Sequence, residues 1–202
     1  MEKKLLVDCI TFDVDKKIIS EAISNGGPVI VQGVLQRAEA KNQNGRVYGK
    51  EILEREALKY DENFIKERRA LGELDHPDSS IINLKNVCHN IKKLWWDGDD
   101  LLGDIEVLPT PSGNILKELL TCGIKLGISS RGMGSVKKNV HEGTDEVQDD
   151  FELIAFDFVS NPSTQGAFMY PQGKINESVD AVKSNNQYEN IDRIIQKILS
   201  EL

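Results

Sequence analysis

The alternation of hydrophobic and polar positions changes period several times along this chain, and each change marks an element. Pro28-Val29-Ile30-Val31-Gln32-Gly33-Val34-Leu35 is short, β-branched and bounded by glycines, the pattern of a buried strand. Asn42 to Tyr48 holds an Asn44-Gly45 turn between strand-forming residues. From about residue 50 to 70 the period lengthens. Ile52, Leu53, Ala57, Leu58, Phe64 and Ile65 interleave with charged residues at helical spacing, which predicts an amphipathic helix with a break near Asp61.

Residues 87–107 predict a hairpin, with 87–96 as one arm, Asp97-Gly98-Asp99-Asp100 as the turn and 101–107 as the other arm. A helix over 112–122 follows, with Ile115, Leu116, Leu119 and Leu120 on its apolar face and Gly123 as its stop. Residues 125–137 and 150–160 predict strands separated by a charged loop. Trp95-Trp96 alternates faces on its strand, so one ring is expected in the core and the other at the surface.

Residues 1–27 end in Asn25-Gly26-Gly27, a turn or linker signal, and read as an N-terminal extension. After residue 170 the chain becomes polar, as a linker would be. It closes on Ile191, Ile194, Ile195, Ile198, Leu199 and Leu202, a stripe at helical spacing that must pack on the domain or on a partner. The organisation is therefore an extension (1–27), an α+β domain rich in strands (28–170) and a C-terminal linker with an amphipathic helix (171–202).

Composition then narrows the function. The formal net charge of −8 supplies no overall basic field for a nucleic-acid backbone, which leaves only a local patch such as Lys137-Lys138. Apolar runs fall far short of a membrane span, and the first residues lack the apolar core of a signal peptide. Cys9, Cys88 and Cys122 are an odd set without Cys-x-x-Cys spacing. That argues against a disulfide framework or a thiolate zinc site and suits a reducing cytoplasm. The Asp97–Asp100 turn lacks the glycine a calcium loop needs, so neither a metal nor an organic cofactor is expected.

Of the three histidines, His76 sits in Gly72-Glu73-Leu74-Asp75-His76-Pro77, where the proline stiffens the backbone. It suits a positioned general base, and its bland reading is a surface-turn histidine. His89 reads as a sheet-surface residue and His141 as a solvated one. Gly127-Ile128-Ser129-Ser130-Arg131-Gly132-Met133-Gly134-Ser135 is the densest unusual segment. A serine attacking a carbonyl needs a base and amide donors for the oxyanion. This segment could supply the serine and the donors, or be a glycine-rich turn. Arg131 rules out the Gly-x-Ser-x-Gly elbow, and no Walker loop is present.

Asn44-Gly45-Arg46-Val47-Tyr48, then Leu71 to Pro77, then Trp95-Trp96, then Gly127 to Gly132 occur in that order. The set resembles the prohead core proteases of large tailed bacteriophages, the serine peptidases of capsid maturation. The resemblance spans roughly 28–170. It implies a herpesvirus-assemblin-like fold, a mostly antiparallel β-barrel surrounded by helices. It implies His76 as base and Ser129 as nucleophile, with Ser130 as local competitor. Amides around Ser130, Arg131 and Gly132 would form the oxyanion hole, with Arg131 holding that loop or an ordered water. For the third member Asp157, on an apparent strand between two phenylalanines, is preferred over His89. Pointing away from those phenylalanines, it need not be buried. Asp75 is too close in sequence to face His76.

The resemblance further implies action inside the prohead in the host cytoplasm, on capsid and scaffold or core proteins. Cleavage would follow Glu, with an aliphatic residue two positions earlier. This chain carries that pattern at Ile19-Ser20-Glu21-Ala22 and Ile175-Asn176-Glu177-Ser178. Self-cleavage after Glu177 would release the C-terminal arm, whose stripe otherwise invites self-association. The competing reading is a catalytically inactive core or scaffold protein that binds capsid proteins.

Overall fold

The computed structural model describes residues 3–12, 22, 24–75, 77, 79–160 and 169–171. The chain runs β1 (Lys4–Phe12), β2 (Val29–Arg37), β3 (Arg46–Val47), α1 (Lys50–Tyr60), a π-helical turn (Asp61–Ile65), β4 (Leu71–Glu73), β5 (Val87–Asp97) and β6 (Asp100–Val107). It continues with α2 (Pro111–Thr121), β7 (Leu126–Gly134), β8 (Val136–Asn139), β9 (Thr144–Val147), β10 (Glu152–Val159) and β11 (Met169–Pro171). The strands form three sheets, ordered β1-β7-β10, β11-β2-β6-β5-β4 and β3-β9-β8.

The architecture is α+β and mostly antiparallel, with β3 and β9 pairing in parallel. The expected barrel is reduced to these three ladders, among whose described residues no closed ring of strands is seen. Its surrounding helices number two among the described residues.

Local chemistry explains the elements. Thr110 caps α2 by accepting the Gly113 amide at 3.0 Å, with Pro111 at the first helical position, where its missing N–H costs nothing. The helix stops at Gly123, whose φ of +74° suits glycine. Leu116 and Leu120 are buried, whereas Ile115, expected on the same face, is exposed. The helix–π transition at Asp61 places the expected break where the polar run begins.

One core cluster gathers Val31, Leu35, Ile91, Ile105, Leu116 and Phe158, among others, between the five-stranded sheet and the site-bearing sheet. A second joins Leu6, Tyr48, Leu53, Val147 and Phe151. Burying each such large side chain contributes about 1.5–3 kcal/mol. Leu6 belongs to β1, which lies within the stretch expected as an extension. Instead β1 pairs antiparallel with β7 from Lys4↔Gly134 to Phe12↔Leu126.

Neither tryptophan is fully buried. Trp96 packs on both clusters and under the Lys50 ammonium, and Trp95 lies beneath Lys93.

Candidate active site

The strand expected over 125–137 is present at Leu126–Gly134, so the glycine-rich segment is not a turn. It is β7, the central strand of its sheet, with β1 on one side and β10 on the other. Ser129 lies opposite Cys9 of β1 and opposite Asp157 of β10. Residues directly opposite on adjacent strands point to the same face, so Ser129 and Asp157 share a face with Arg131, two positions along.

Asp157 is fully buried. Burial there is tolerable because the charge is neutralised. Arg131 Nε lies 3.0 Å from its Oδ2, Arg131 NH2 donates to its Oδ1 at 3.2 Å, and the Glu73 amide donates to Oδ1 at 3.0 Å. The guanidinium also donates to Glu73 Oε1 at 3.1 Å and to the Ser79 carbonyl at 2.7 Å. Glu73 Oε1 accepts the Asn83 amide as well. Arg131 thus ties the nucleophile-candidate strand to both flanks of the 74–82 segment.

That segment carries His76, which lies outside the described residues, as do Glu21 and Glu177 and the C-terminal arm. Leu74 bridges in parallel to Phe158, and the Asp75 amide donates to the Phe158 carbonyl at 2.8 Å. The chain therefore arrives at residue 75 alongside β10, one residue from Asp157. Asp75 has φ +69°, a left-handed conformation that turns the chain away from the strand direction.

The two serines differ in their commitments. Ser130 Oγ accepts from Gln36 Nε2 at 2.9 Å and donates to the Asp8 carbonyl at 3.4 Å. Gln36 faces inward because β2 shifts register between Val34 and Gln36, which reverses its alternation. Ser129 Oγ makes a long 3.5 Å contact to the Ser130 carbonyl.

Ser130, Arg131 and Gly132, expected to form the oxyanion hole, lie within β7, where the facing strand β10 shifts register between Leu153 and Ala155. Their amides lie in the ladders of a strand paired on both sides, opposite Asp8, Val7 and Leu6 and opposite Phe156, Ala155 and Leu153. The Arg131 side chain is committed to Asp157, Glu73 and the Ser79 carbonyl.

His89 is fully buried rather than on the sheet surface. β5 is flanked by β4 and β6, and its 87–91 stretch is covered on both faces. The ring packs edge-on to Phe158, with Nδ1 3.1 Å from Cys88 Sγ. Burial pushes its pKa down to about 4, opposed by attraction to Asp157. His89 is therefore neutral near pH 7. Burial likewise pushes up the Cys88 thiol and the Tyr60 phenol, and the nearby Asp157 charge adds to both. His141 is exposed in its turn, as expected.

Several site residues carried no sequence signal of their role. Glu73 and Gln36 are ordinary strand positions. Asp8 sits in a run, Leu5 to Phe12, whose apolar and β-branched content was the available clue to β1.

Comparison with known proteins decides the family. The family model described as prohead core protein serine protease matches residues 12–180. The chain belongs to this family. The prohead core protein protease of Enterobacteria phage T4 is 33% identical over 154 residues, covering 75% of this chain and 72% of that one. The solved structure of the bacteriophage T4 capsid assembly protease, gp21, superposes with a TM-score of 0.69 at 26% identity. That match covers 80% of this chain and all of that one. In this prohead core protease the matched region takes in the last residue of β1, all of β7 and β10, and the 74–82 segment.

Proposed function

We propose that this chain is a serine endopeptidase of prohead maturation, with Ser129 as nucleophile, His76 as general base and Asp157 as the acid that orients it. What carries the reading is the register that sets Ser129 against Asp157 in the middle of the sheet. The stitching of residues 74–75 to Phe158 supports it, since it delivers the chain to His76 from alongside Asp157. Ser129 is preferred to Ser130 because the Ser130 hydroxyl is held by Gln36 and Asp8.

His76 takes the Ser129 proton as Oγ attacks the scissile carbonyl carbon. The C–N bond then breaks as His76 protonates the leaving amine. Water attacks the resulting ester while His76 accepts its proton, and that proton returns to Ser129 as the acid product leaves. Asp157 stabilises the transient imidazolium and fixes the ring tautomer. Arg131 pairs with both of its oxygens and holds the carboxylate in place for that task. His89, neutral and close to Asp157, is the alternative third member.

The substrates are capsid and scaffold or core proteins within the prohead, cut after Glu in an aliphatic-x-Glu context. The chain's own sites after Glu177 and Glu21 are included. A peptide bearing Ile-Asn-Glu-Ser is incubated with the wild type, Ser129→Ala and Ser130→Ala. Cleavage after Glu that is lost in Ser129→Ala and kept in Ser130→Ala is the expected result. A wild type inert to the peptide, both full length and ended at Glu177, overturns the reading in favour of a non-catalytic core protein. Mass spectrometry of wild type against Ser129→Ala tests self-cleavage, which an intact 171–202 segment in both would refute.

A further inference from the structure

The Asn44-Gly45-Arg46-Val47-Tyr48 motif lies outside the proposed triad, yet its side chains converge on one buried group. Asp8 of β1 is fully buried. Its Oδ1 accepts from Asn44 Nδ2 at 2.7 Å and from Arg46 NH1 at 3.2 Å, and its Oδ2 accepts from the Tyr48 hydroxyl. Asn44 Nδ2 and Arg46 NH1 also donate to the Val7 carbonyl, at 2.8 and 3.0 Å. The motif therefore grips both the side chain and the backbone of the outer strand of the site's sheet.

The grip is itself rigid. Asn42 Oδ1 accepts the amides of Asn44 and Arg46, and the Asp145 amide donates to the Gly45 carbonyl. Gly45 turns the chain at φ +78°, where a side chain would be strained. On the far side the Asp8 carbonyl accepts the Ser130 hydroxyl, and Cys9 stands opposite Ser129. A continuous path of hydrogen bonds thus runs from the motif through Asp8 to the residue after Ser129.

A carboxylate with no solvent exposure is an expensive way to anchor a strand. An apolar side chain packed beside Leu6 and Phe151 would hold β1 at lower cost. What the carboxylate adds is direction, since three donors fix it laterally and so fix the register of β1 on β7. We propose that Asn44, Arg46 and Tyr48 act through Asp8 as a positioning clamp that sets β1 against β7 and thereby holds Ser129 in place for attack. The catalytic half of this statement rests on the reading of Ser129 as nucleophile. The mechanical half does not.

The test compares the full-length wild type with Tyr48→Phe, which removes one oxygen, and Asp8→Asn, which keeps an acceptor. Thr110→Ala, an uncapped α2, serves as a control that loses stability elsewhere. Misplacing a nucleophile by a fraction of an ångström lowers kcat rather than substrate affinity. Tyr48→Phe should cut kcat about tenfold with KM nearly unchanged, while Thr110→Ala keeps both. Amide hydrogen exchange over residues 127–131 should also quicken in Tyr48→Phe relative to Thr110→Ala at matched loss of melting temperature. A kcat and an exchange pattern in Tyr48→Phe that match Thr110→Ala would overturn the proposal. If the wild type proves inert, the protease reading fails and the exchange comparison alone decides the clamp.

Discussion

Arg131 and Asp157 form a fully buried ion pair between β7 and β10, with Nε 3.0 Å from Oδ2. Arg131 is opposite Ala155 in register, so its side chain reaches diagonally to Asp157 and onward to Glu73. The pair joins the strand that carries Ser129, the strand that carries Asp157 and the strand that leads to His76. Replacing Arg131 by Met leaves two buried carboxylates facing each other and should cost about 3–5 kcal/mol. Arg131→Lys should recover only part of this, because an ammonium cannot match the fork that spans Asp157, Glu73 and the Ser79 carbonyl. Urea denaturation of the three proteins measures both differences.

The two adjacent serines should separate by the kind of damage their loss does. Ser129→Ala should lower peptide cleavage by about four orders of magnitude or more with little change in stability. Ser130→Ala strips Gln36 Nε2 of its acceptor in a buried setting and should cost about 1–3 kcal/mol while leaving cleavage measurable. Thermal melts and steady-state kinetics on the same preparations resolve the two.

His89 should make the protein acid-sensitive. Its pKa lies near 4 in the folded chain against an ordinary 6.5, so below pH 6.5 the unfolded chain takes up a proton that the folded chain refuses. The His89 contribution is complete above pH 6.5, declines as pH falls and levels off below about 4. The loss is about 3 kcal/mol over that window. His89→Gln should show a shallower fall of stability between pH 6.5 and 4 than the wild type, read from denaturant titrations at a series of pH values.

Gly72 should not tolerate a methyl group. A Cβ there would stand 2.0 Å from the Phe156 carbonyl oxygen and 2.2 Å from His89 Cε1. Neither the β10 backbone nor the wedged imidazole can withdraw cheaply. Gly72→Ala should cost about 3 kcal/mol or more and slow cleavage as well, because the push falls on the strand that holds Asp157. Melting temperature and kcat are the readouts.

Elements whose signals are local were legible in the sequence. Thr110 and Pro111 open α2 and Gly123 closes it, and the Asp97-Gly98 turn joins β5 to β6 with Gly98 at φ +55°. The break at Asp61 also came through. What was hidden depends on partners far away in the chain. The strand over 125–137 is legible but the reason for its glycines is not: the Phe151 ring covers β7 at Gly132 and leaves room for little else. An aspartate between two phenylalanines gives no hint that an arginine on the next strand will neutralise it. His89 looks like one member of an alternating strand until the second covering layer is known. The N-terminal stretch looked uninformative because the strand it answers to is β7.

That last pairing governs when the protein can become competent. Asp8 and Ser130 are separated by 122 residues, so β1 leaves the ribosome long before its neighbour exists. At about 5–20 residues per second the wait lasts from several seconds to nearly half a minute. Closing so long a loop is slow in its own right. The sheet that carries the proposed reacting groups is therefore among the last parts of the molecule to be completed, and on that proposal a nascent chain would be chemically silent through most of its own synthesis.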